Sequence, residues 1–168
     1  MIHDFITTFT PPLASDTVSG SVNVSGTVQQ VLPLFQVAPN NIASIGPSWT
    51  TLTSFATPDY NVLNLWSTAN NRVEAPLNGY YSITFTYAGN TSTNGCLAID
   101  FMKNGSAIYE TDTNSAFTTS TYFSMTLNRI VYLTTTDYLT VRIYSGISSG
   151  VSLTSGYSSL SGFLISRA

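Results

Sequence analysis

Alternation of apolar and polar side chains at a spacing of two is the feature that most restricts how this chain can fold. In the segment RVEAPLNGYYSITFTYAG, residues 72–89, a proline and a glycine lead into Tyr81, Ile83, Phe85 and Tyr87 on every second position. This spacing places the four side chains on one face of an extended strand, whereas an amphipathic helix needs spacings of three and four. Helical spacing fails along almost the whole chain, and Thr, Ser, Val, Ile and Tyr dominate, so we expect an all-β protein.

Short alternating runs of this kind recur along the sequence, separated by clusters of Gly, Asn, Asp, Ser and Thr. Their number and length predict a β-sandwich or barrel. Asn104-Gly105 favours the positive φ angles of a type I′ hairpin, and residues 135–137 offer a second turn. The nine predicted strands cover residues 49–55, 60–66, 80–88, 96–103, 106–110, 121–127, 129–135, 138–145 and 159–166.

The composition indicates one domain with an unusual surface. The 168 residues include only 13 charged ones, five basic and eight acidic, against 23 Ser, 25 Thr and 13 Asn. Ordinary soluble domains carry about a quarter charged residues, so this surface must rely on neutral hydrogen-bonding groups, as suits an oligomer or an extracellular shell. A net charge of −3 without a basic stripe argues against nucleic-acid binding. No window approaches the ~20 apolar residues of a membrane span, so we expect no membrane insertion.

The residues that could carry catalysis are few and scattered. The single histidine, His3, has no Ser or Cys that local spacing ties to it, so a catalytic dyad or triad is not expected. The single cysteine, Cys96, lies beside Leu97 and Ala98 and is interpreted as a small buried apolar residue rather than a reactive thiol. We find no phosphate-binding or dinucleotide-binding glycine loop. The sequence therefore predicts no enzyme activity, no catalytic residues, no cofactor and no metal site.

The first 45 residues differ from the rest of the chain. The opening MIHDFITTFTPPLASD lacks a basic n-region and a continuous apolar h-region, so we interpret it as something other than a secretory signal. Val-Ser-Gly recurs at 18–20 and 24–26 in a low-complexity stretch. Two interpretations stay open: a flexible linker, or an extended arm that gains order by adding strands to neighbouring subunits. We expect an arm or anchor over residues 1–45 and one domain over residues 46–168.

Four segments in order resemble the globular head of complement component one, subcomponent q, and its tumour necrosis factor relatives. They are STANNRVEAPLNGYYSITF, LAIDFMKNGSAIY, FSMTLNRIVYLTTTDYLTVRIY and SSLSGFLISRA, and they cover roughly residues 48–168. Two departures stand out. Thr136 takes the place of the glycine that usually precedes the aspartate at Asp137, and no collagen-like Gly-X-Y stalk precedes the head.

The resemblance implies a jelly-roll β-sandwich of about ten antiparallel strands that assembles as a homotrimer and serves binding rather than catalysis. It leaves calcium binding by Asp100 with Asp112 as an alternative, because some relatives bind calcium. Ten Tyr and nine Phe are many for one small core, so several must face a partner. Adjacent residues on a strand point to opposite faces, so one of Tyr80 and Tyr81 lies outside the core. The predicted residues of the trimer core or interface are Tyr80, Tyr81, Phe85, Leu139 and Phe163.

The leading functional hypothesis is a non-enzymatic, trimeric structural or attachment protein of a phage-like virion: a head decoration, fibre, spike or receptor-binding knob. Residues 1–45 would anchor it to other virion or surface-layer proteins, and the head would meet a host receptor or glycan from the virion surface. The alternative is a recognition module that is secreted or displayed on a cell or spore surface and binds protein or glycan ligands.

Overall fold

The computed structural model describes residues 31–90, 95–108, 112–114, 122–147 and 150–168. Strands account for nearly all of the regular structure in these ranges, which confirms the all-β prediction; a 3₁₀ turn at Ser155–Tyr157 is the exception. The strands are β1 (Leu34–Val37), β2 (Ile42–Ile45), β3 (Thr50–Thr51), β4 (Tyr60–Val62), β5 (Trp66–Ser67), β6 (Arg72–Glu74), β7 (Gly79–Asn90), β8 (Leu97–Lys103), β9 (Ser106–Ala107), β10 (Asp112–Asn114), β11 (Phe123–Leu133), β12 (Tyr138–Ser145), β13 (Val151–Leu153) and β14 (Ser159–Arg167).

Two antiparallel sheets form a jelly-roll sandwich. In the first, called sheet I, β7 has β11 on one edge and both β13 and β14 on the other; β2 pairs with β13, and β1 and then β4 follow β14. The second, sheet II, runs β10-β8-β12-β6-β5, with β3 on β12 and β9 on β8. Many neighbours within each sheet are far apart in sequence, as in β1 beside β14 and β6 beside β12.

Strand β7 is the centre of sheet I. On one edge, β11 pairs with it from Gly79 to Gly89. On the other edge, β14 pairs with residues 79–86 and β13 with residues 89–90. The alternation that marks this segment in the sequence follows from this position, because one face of β7 meets the other sheet and the opposite face points outward.

The core lies between the two sheets. Tyr81, Ile83, Phe85 and Tyr87 are all fully buried on the inner face of β7. Strands β8 and β12 of sheet II bury Leu97, Ile99, Phe101, Leu139, Val141 and Ile143 toward them. Trp66 closes one side of the core: its ring stacks on Phe35 at 5.5 Å between centroids and meets the edge of Phe55 at 4.8 Å.

The strand predictions differ from the structure where a local signal misled them. Strand β12 has the predicted bounds, but the two runs 121–127 and 129–135 are one continuous strand, β11. The run 60–66 instead divides into β4 and β5, because Leu63 and Asn64 between them adopt positive φ angles of 56° and 55°. Strands β1, β2, β6, β10 and β13 have no counterpart among the predicted runs.

The predicted boundary at residues 45/46 lies inside the fold. Residues 34–37 form β1, which pairs with both β14 and β4. Residues 42–45 form β2, which pairs with β13. These strands bury Phe35, Val37 and Ile45 in the core, so the jelly roll includes at least residues 34–45 that we had assigned to the arm. The predicted arm residues 1–30, including His3 and both Val-Ser-Gly repeats, lie outside the described residues.

Two turns at one end of the sandwich are tied together by Asp137. The hairpin turn has φ angles of 51° at Asn104 and 80° at Gly105, as predicted for type I′. The second turn closes with the Asp137 N–H donating to the Thr134 carbonyl at 3.0 Å. The Asp137 carboxylate accepts hydrogen bonds from the Thr134 N–H and hydroxyl and from the Asn104 amide, and it pairs with Lys103 at 2.9 Å. The carboxylate of the second turn thus binds and positions the hairpin turn.

These contacts change the acidity of Asp137. Burial by itself would raise its pKa, but the hydrogen bonds from the Thr134 backbone, Lys103, Asn104 and the Thr134 hydroxyl outweigh burial and hold the pKa well below its ordinary value. A group with a lowered folded-state pKa stabilises the fold above its unfolded pKa, here about 4. That stabilisation declines as the pH falls below about 4, because the unfolded chain takes up the proton first.

Replacement of Asp137 by Asn is therefore expected to have a pH-dependent effect. At pH 7, Asp137→Asn should lower the free energy of unfolding by about 1–3 kcal/mol, because the amide places a donor against Lys103 and Asn104. Near pH 3 the difference from wild type should narrow, since the wild-type carboxylate contributes less there. Urea unfolding of both proteins at the two pH values measures this. An equal difference in unfolding free energy at both pH values would contradict the role assigned to the Asp137 carboxylate.

Gly162 offers a test of the packing between β14 and β7. A Cβ at this buried position would lie 2.5 Å from Ile83 Cδ1 and 3.0 Å from the Ser82 carbonyl oxygen. Gly162→Ala should therefore destabilise the fold by about 1–3 kcal/mol through overpacking. Gly156 is the matched control, because a Cβ there meets no atom within 4 Å. Thermal unfolding should show Gly156→Ala within about 0.5 kcal/mol of wild type; similar losses for both variants would refute the packing explanation.

Candidate interaction face

The outer face of sheet I is the surface that the alternation of β7 leaves outside the core. On β7 it presents Tyr80, Ser82, Thr84 and Thr86, all in phase with one another. The neighbouring strands extend the face by register: Tyr132 lies opposite Tyr80 on β11, and the flanking strands β14 and β1 continue each row. One row across four strands holds Ile130, Ser82, Phe163 and Leu34, and the next holds Asn128, Thr84, Ser161 and Gln36.

One end of this face is apolar, and we call it the apolar patch: Tyr80, Ile130, Tyr132, Phe163 and Ile165. All five side chains are exposed in the single chain, with Tyr80 48% and Phe163 52% accessible. The Tyr80 and Tyr132 rings lie 5.3 Å apart between centroids at 56°, a favourable tilted pair. Contiguous exposed aromatic and aliphatic side chains on a sheet are typical of an interaction surface.

The position of Tyr132 in the apolar patch is supported from the neighbouring sheet. The Lys103 ammonium donates to the Tyr132 carbonyl oxygen at 2.9 Å and lies 5.9 Å from the centre of its ring. The same ammonium pairs with Asp137. The turns that Asp137 ties together therefore also border the apolar patch and fix the backbone on which Tyr132 stands.

The middle of the face is covered by hydroxyl and amide groups. The Asn128 amide on β11 donates to the hydroxyls of Ser82 and Thr84 on β7. Thr86 and Thr126 are joined hydroxyl to hydroxyl at 3.2 Å. These cross-strand bonds explain why β11 continues through Asn128, where the sequence had suggested a break.

The five residues predicted for the trimer core or interface occupy two different environments. Tyr80 and Phe163 lie on the outer face, in the apolar patch. Tyr81, Phe85 and Leu139 have no exposed surface in the single chain, so they belong to the monomer core and cannot contact another subunit. Tyr81 and Phe85 point inward because they alternate in phase with the other core residues of β7. Leu139 is buried because it lies on the inner side of β12, in the opposite sheet.

Of the two adjacent tyrosines, Tyr81 is the one that points into the core. Its hydroxyl donates to the Leu77 carbonyl oxygen at 2.7 Å, which satisfies the polar end of a buried ring. Burial raises the pKa of this phenol, partly offset by the Leu77 hydrogen bond and by the charge of Arg167. Tyr80 is the outward member of the pair.

Sequence reasoning missed three members of the apolar patch: Ile130, Tyr132 and Ile165. The signal for two of them was present, because Ile130 and Tyr132 alternate with Val131 and Leu133. Dividing β11 at residue 128 hid that alternation. Ile165 lies at a shift of register in β14, between Leu164 and Ser166, which no local pattern predicts.

The structure gives Asp100 a partner other than a metal ion. Its carboxylate is almost fully buried and accepts two hydrogen bonds from the Arg142 guanidinium, at 2.7 and 3.1 Å. Arg142 in turn lies 4.2 Å from the centre of the Trp49 ring. The ion pair already compensates the carboxylate that the calcium alternative required. Within the described ranges, no three His, Cys, Asp or Glu residues are grouped so as to hold a metal ion.

The described part of the chain contains no helix long and apolar enough to span a membrane.

The comparison with solved structures supports the fold. No protein-family model and no curated protein sequence matches the chain. Among solved structures, the globular domain of the zebrafish complement 1qA protein is similar with a TM-score of 0.60 and 14% identity, over 82% of this chain and 100% of that one.

Two other solved structures are similar to this chain at comparable levels. Murine APRIL gives a TM-score of 0.57 and 16% identity, over 80% of this chain and 100% of that one. The Eiger TNF of S. frugiperda gives a TM-score of 0.57 and 13% identity, over 83% and 96%. The chain thus has the jelly-roll fold shared by the globular head of complement component one, subcomponent q, and the tumour necrosis factor ligands, as its sequence motifs indicated.

Proposed function

We propose that this protein is a non-enzymatic recognition and attachment head that assembles as a homotrimer through the outer face of sheet I. The observation that carries the proposal is the apolar patch, which exposes three aromatic and two aliphatic side chains on one sheet face. Full burial of such a side chain contributes about 1.5–3 kcal/mol, and because these five side chains are 39–57% accessible in the single chain, burying the remaining surface contributes roughly half of that for each. A set of five in each of three subunits can outweigh the entropy lost on association.

The fold supports the same conclusion. The resemblance to the complement and tumour necrosis factor heads implies a trimer, and the apolar patch offers a face on which two further copies could pack. Tyr80 and Phe163 keep their predicted role as interface residues in this proposal. Ile130, Tyr132 and Ile165 join them.

We further propose that the head serves a virion, as a structural or attachment protein on the particle surface. Support comes from the low charge, the hydroxyl-rich composition and the Val-Ser-Gly repeats of residues 18–26, which suit an arm that anchors to neighbouring subunits. The alternative placement is an extracellular or cell-surface recognition module. Immunogold electron microscopy of whole particles and cells distinguishes the two, since labelling of cells or spores alone would refute the virion placement.

A charge in the apolar patch should prevent assembly. Wild type is expected to show three times the 18.1 kDa chain mass in light scattering. Phe163→Asp should shift the protein to monomer, because an unpaired carboxylate buried at an interface costs several kcal/mol. Trp49→Asp is the matched control: it lies just before β3 of sheet II, away from the apolar patch, with Arg142 beside the new charge, and it should remain trimeric.

Two outcomes would overturn the trimer proposal. One is a wild-type protein that stays monomeric at micromolar concentration. The other is a Phe163→Asp protein that is as trimeric as wild type. Circular dichroism of each variant confirms that a loss of mass reflects dissociation and not unfolding.

A further inference from the structure

The end of the outer face opposite the apolar patch contains an open pocket of about 460 Å³. The two features lie at opposite ends of β7, with Tyr80 at its start and Ala88, which lines the pocket, near its end. The volume of the pocket lies within the range typical of small-molecule sites. The described residues that line it are Ala88, Tyr122, Phe123, Ser124 and Tyr157.

The walls of the pocket are held in place by hydrogen bonds to the sheet. The Ser158 hydroxyl, which is buried, accepts from the Ala88 N–H at 2.9 Å and donates to the Ala88 carbonyl at 3.1 Å. The Thr154 N–H donates to the same carbonyl at 2.9 Å. These bonds fasten both ends of the 3₁₀ turn that carries Tyr157. A ligand would therefore meet a wall whose backbone is already positioned, which lowers the entropy cost of binding.

The opposite wall is also fixed. Phe123 packs against the buried Tyr87 ring at 5.3 Å between centroids, and it adjoins Tyr122 in the chain. Tyr122 and Tyr157 meet edge to face, at 6.2 Å and 81°. Both rings remain largely exposed, at 56% for Tyr122 and 70% for Tyr157. The pocket thus presents two amphipathic rings at right angles and the hydroxyl of Ser124 beside them.

The chemistry of this pocket restricts its ligand. None of its described lining residues is charged. Among these described residues, an anionic ligand such as a phosphate would find no counter-charge. The pocket is open to solvent, so an entirely apolar ligand would stay partly in water. A ligand that is neutral, has one apolar face and carries several hydroxyl groups matches both the rings and the polar rim.

We propose that the pocket binds a neutral pyranose unit of a glycan, with the apolar face of the sugar against the Tyr157 ring. Ser124 and the tyrosine hydroxyls would exchange hydrogen bonds with the sugar hydroxyls. The inference rests on the proposed recognition function and names its ligand class. In a trimer the chain would display three such pockets, and several weak sites on one particle bind a glycan-covered surface far more tightly than one site does.

The test measures sugar binding to the full chain and matched variants. Saturation-transfer difference NMR with glucose, galactose, N-acetylglucosamine and lactose, with sialyllactose as the anionic comparator, should give millimolar binding of at least one neutral sugar. Tyr157→Ala should weaken it at least about 10-fold, since stacking on an aromatic ring is lost. Tyr157→Phe should keep most of it. The control Tyr60→Ala removes an exposed tyrosine from the β4 edge of sheet I, away from the pocket, and should bind like wild type.

The proposal is overturned if wild type binds none of the neutral sugars, or if Tyr157→Ala binds as tightly as wild type. Binding of sialyllactose alone would also overturn it, because the ligand would then be anionic. Light scattering of the same samples measures the oligomeric state independently of sugar binding. A trimer that binds no sugar refutes only the ligand class, whereas a monomer that binds sugar refutes only the trimer.

Discussion

Pairing of β7 on both of its edges is the constraint on which the rest of the structure depends. With β11 on one side and β14 and β13 on the other, this strand can bury one face completely, and its inward residues from Tyr81 to Tyr87 are inaccessible to solvent. A shift of one residue would exchange the two faces and place the core aromatics in water. The register of β7 therefore also fixes which residues its neighbours β11 and β14 can turn outward.

The outer face that results is divided along its length. The apolar patch lies at the start of β7, a network of hydroxyl and amide groups covers the middle, and the pocket between Tyr122 and Tyr157 lies at the end of the strand. Among the described residues, no charged side chain belongs to the apolar patch or lines the pocket, although Lys103 borders the patch beside Tyr132. The assembly and ligand binding proposed for them draw on apolar burial and neutral hydrogen bonds, which ionic strength screens far less than exposed ion pairs.

Elements with a strong local signal could be predicted from the sequence. The alternation of β12, the Asn104-Gly105 hairpin and the turn at Asp137 depend on residues close in the chain, and the structure has all three. Asn128 misled the prediction because asparagine is common in turns, whereas here its amide is satisfied by hydroxyls on β7. Strands β1, β2 and β13 have three or four residues each, too few for a reliable pattern, and they owe their extended form to partners far away in sequence.

The sequence by itself determined which residues of β7 share a face. Tyr80 and Tyr81 had to point to opposite faces, because successive side chains of a strand always do. It also determined that most of the surface would be neutral. Only the tertiary structure decided that Tyr81 is the buried member, and that Tyr80 shares an exposed patch with Tyr132 and Phe163. The physical reason is that alternation relates the two faces of one strand to each other, whereas burial of a face depends on which distant strands pair beside it and which sheet covers it.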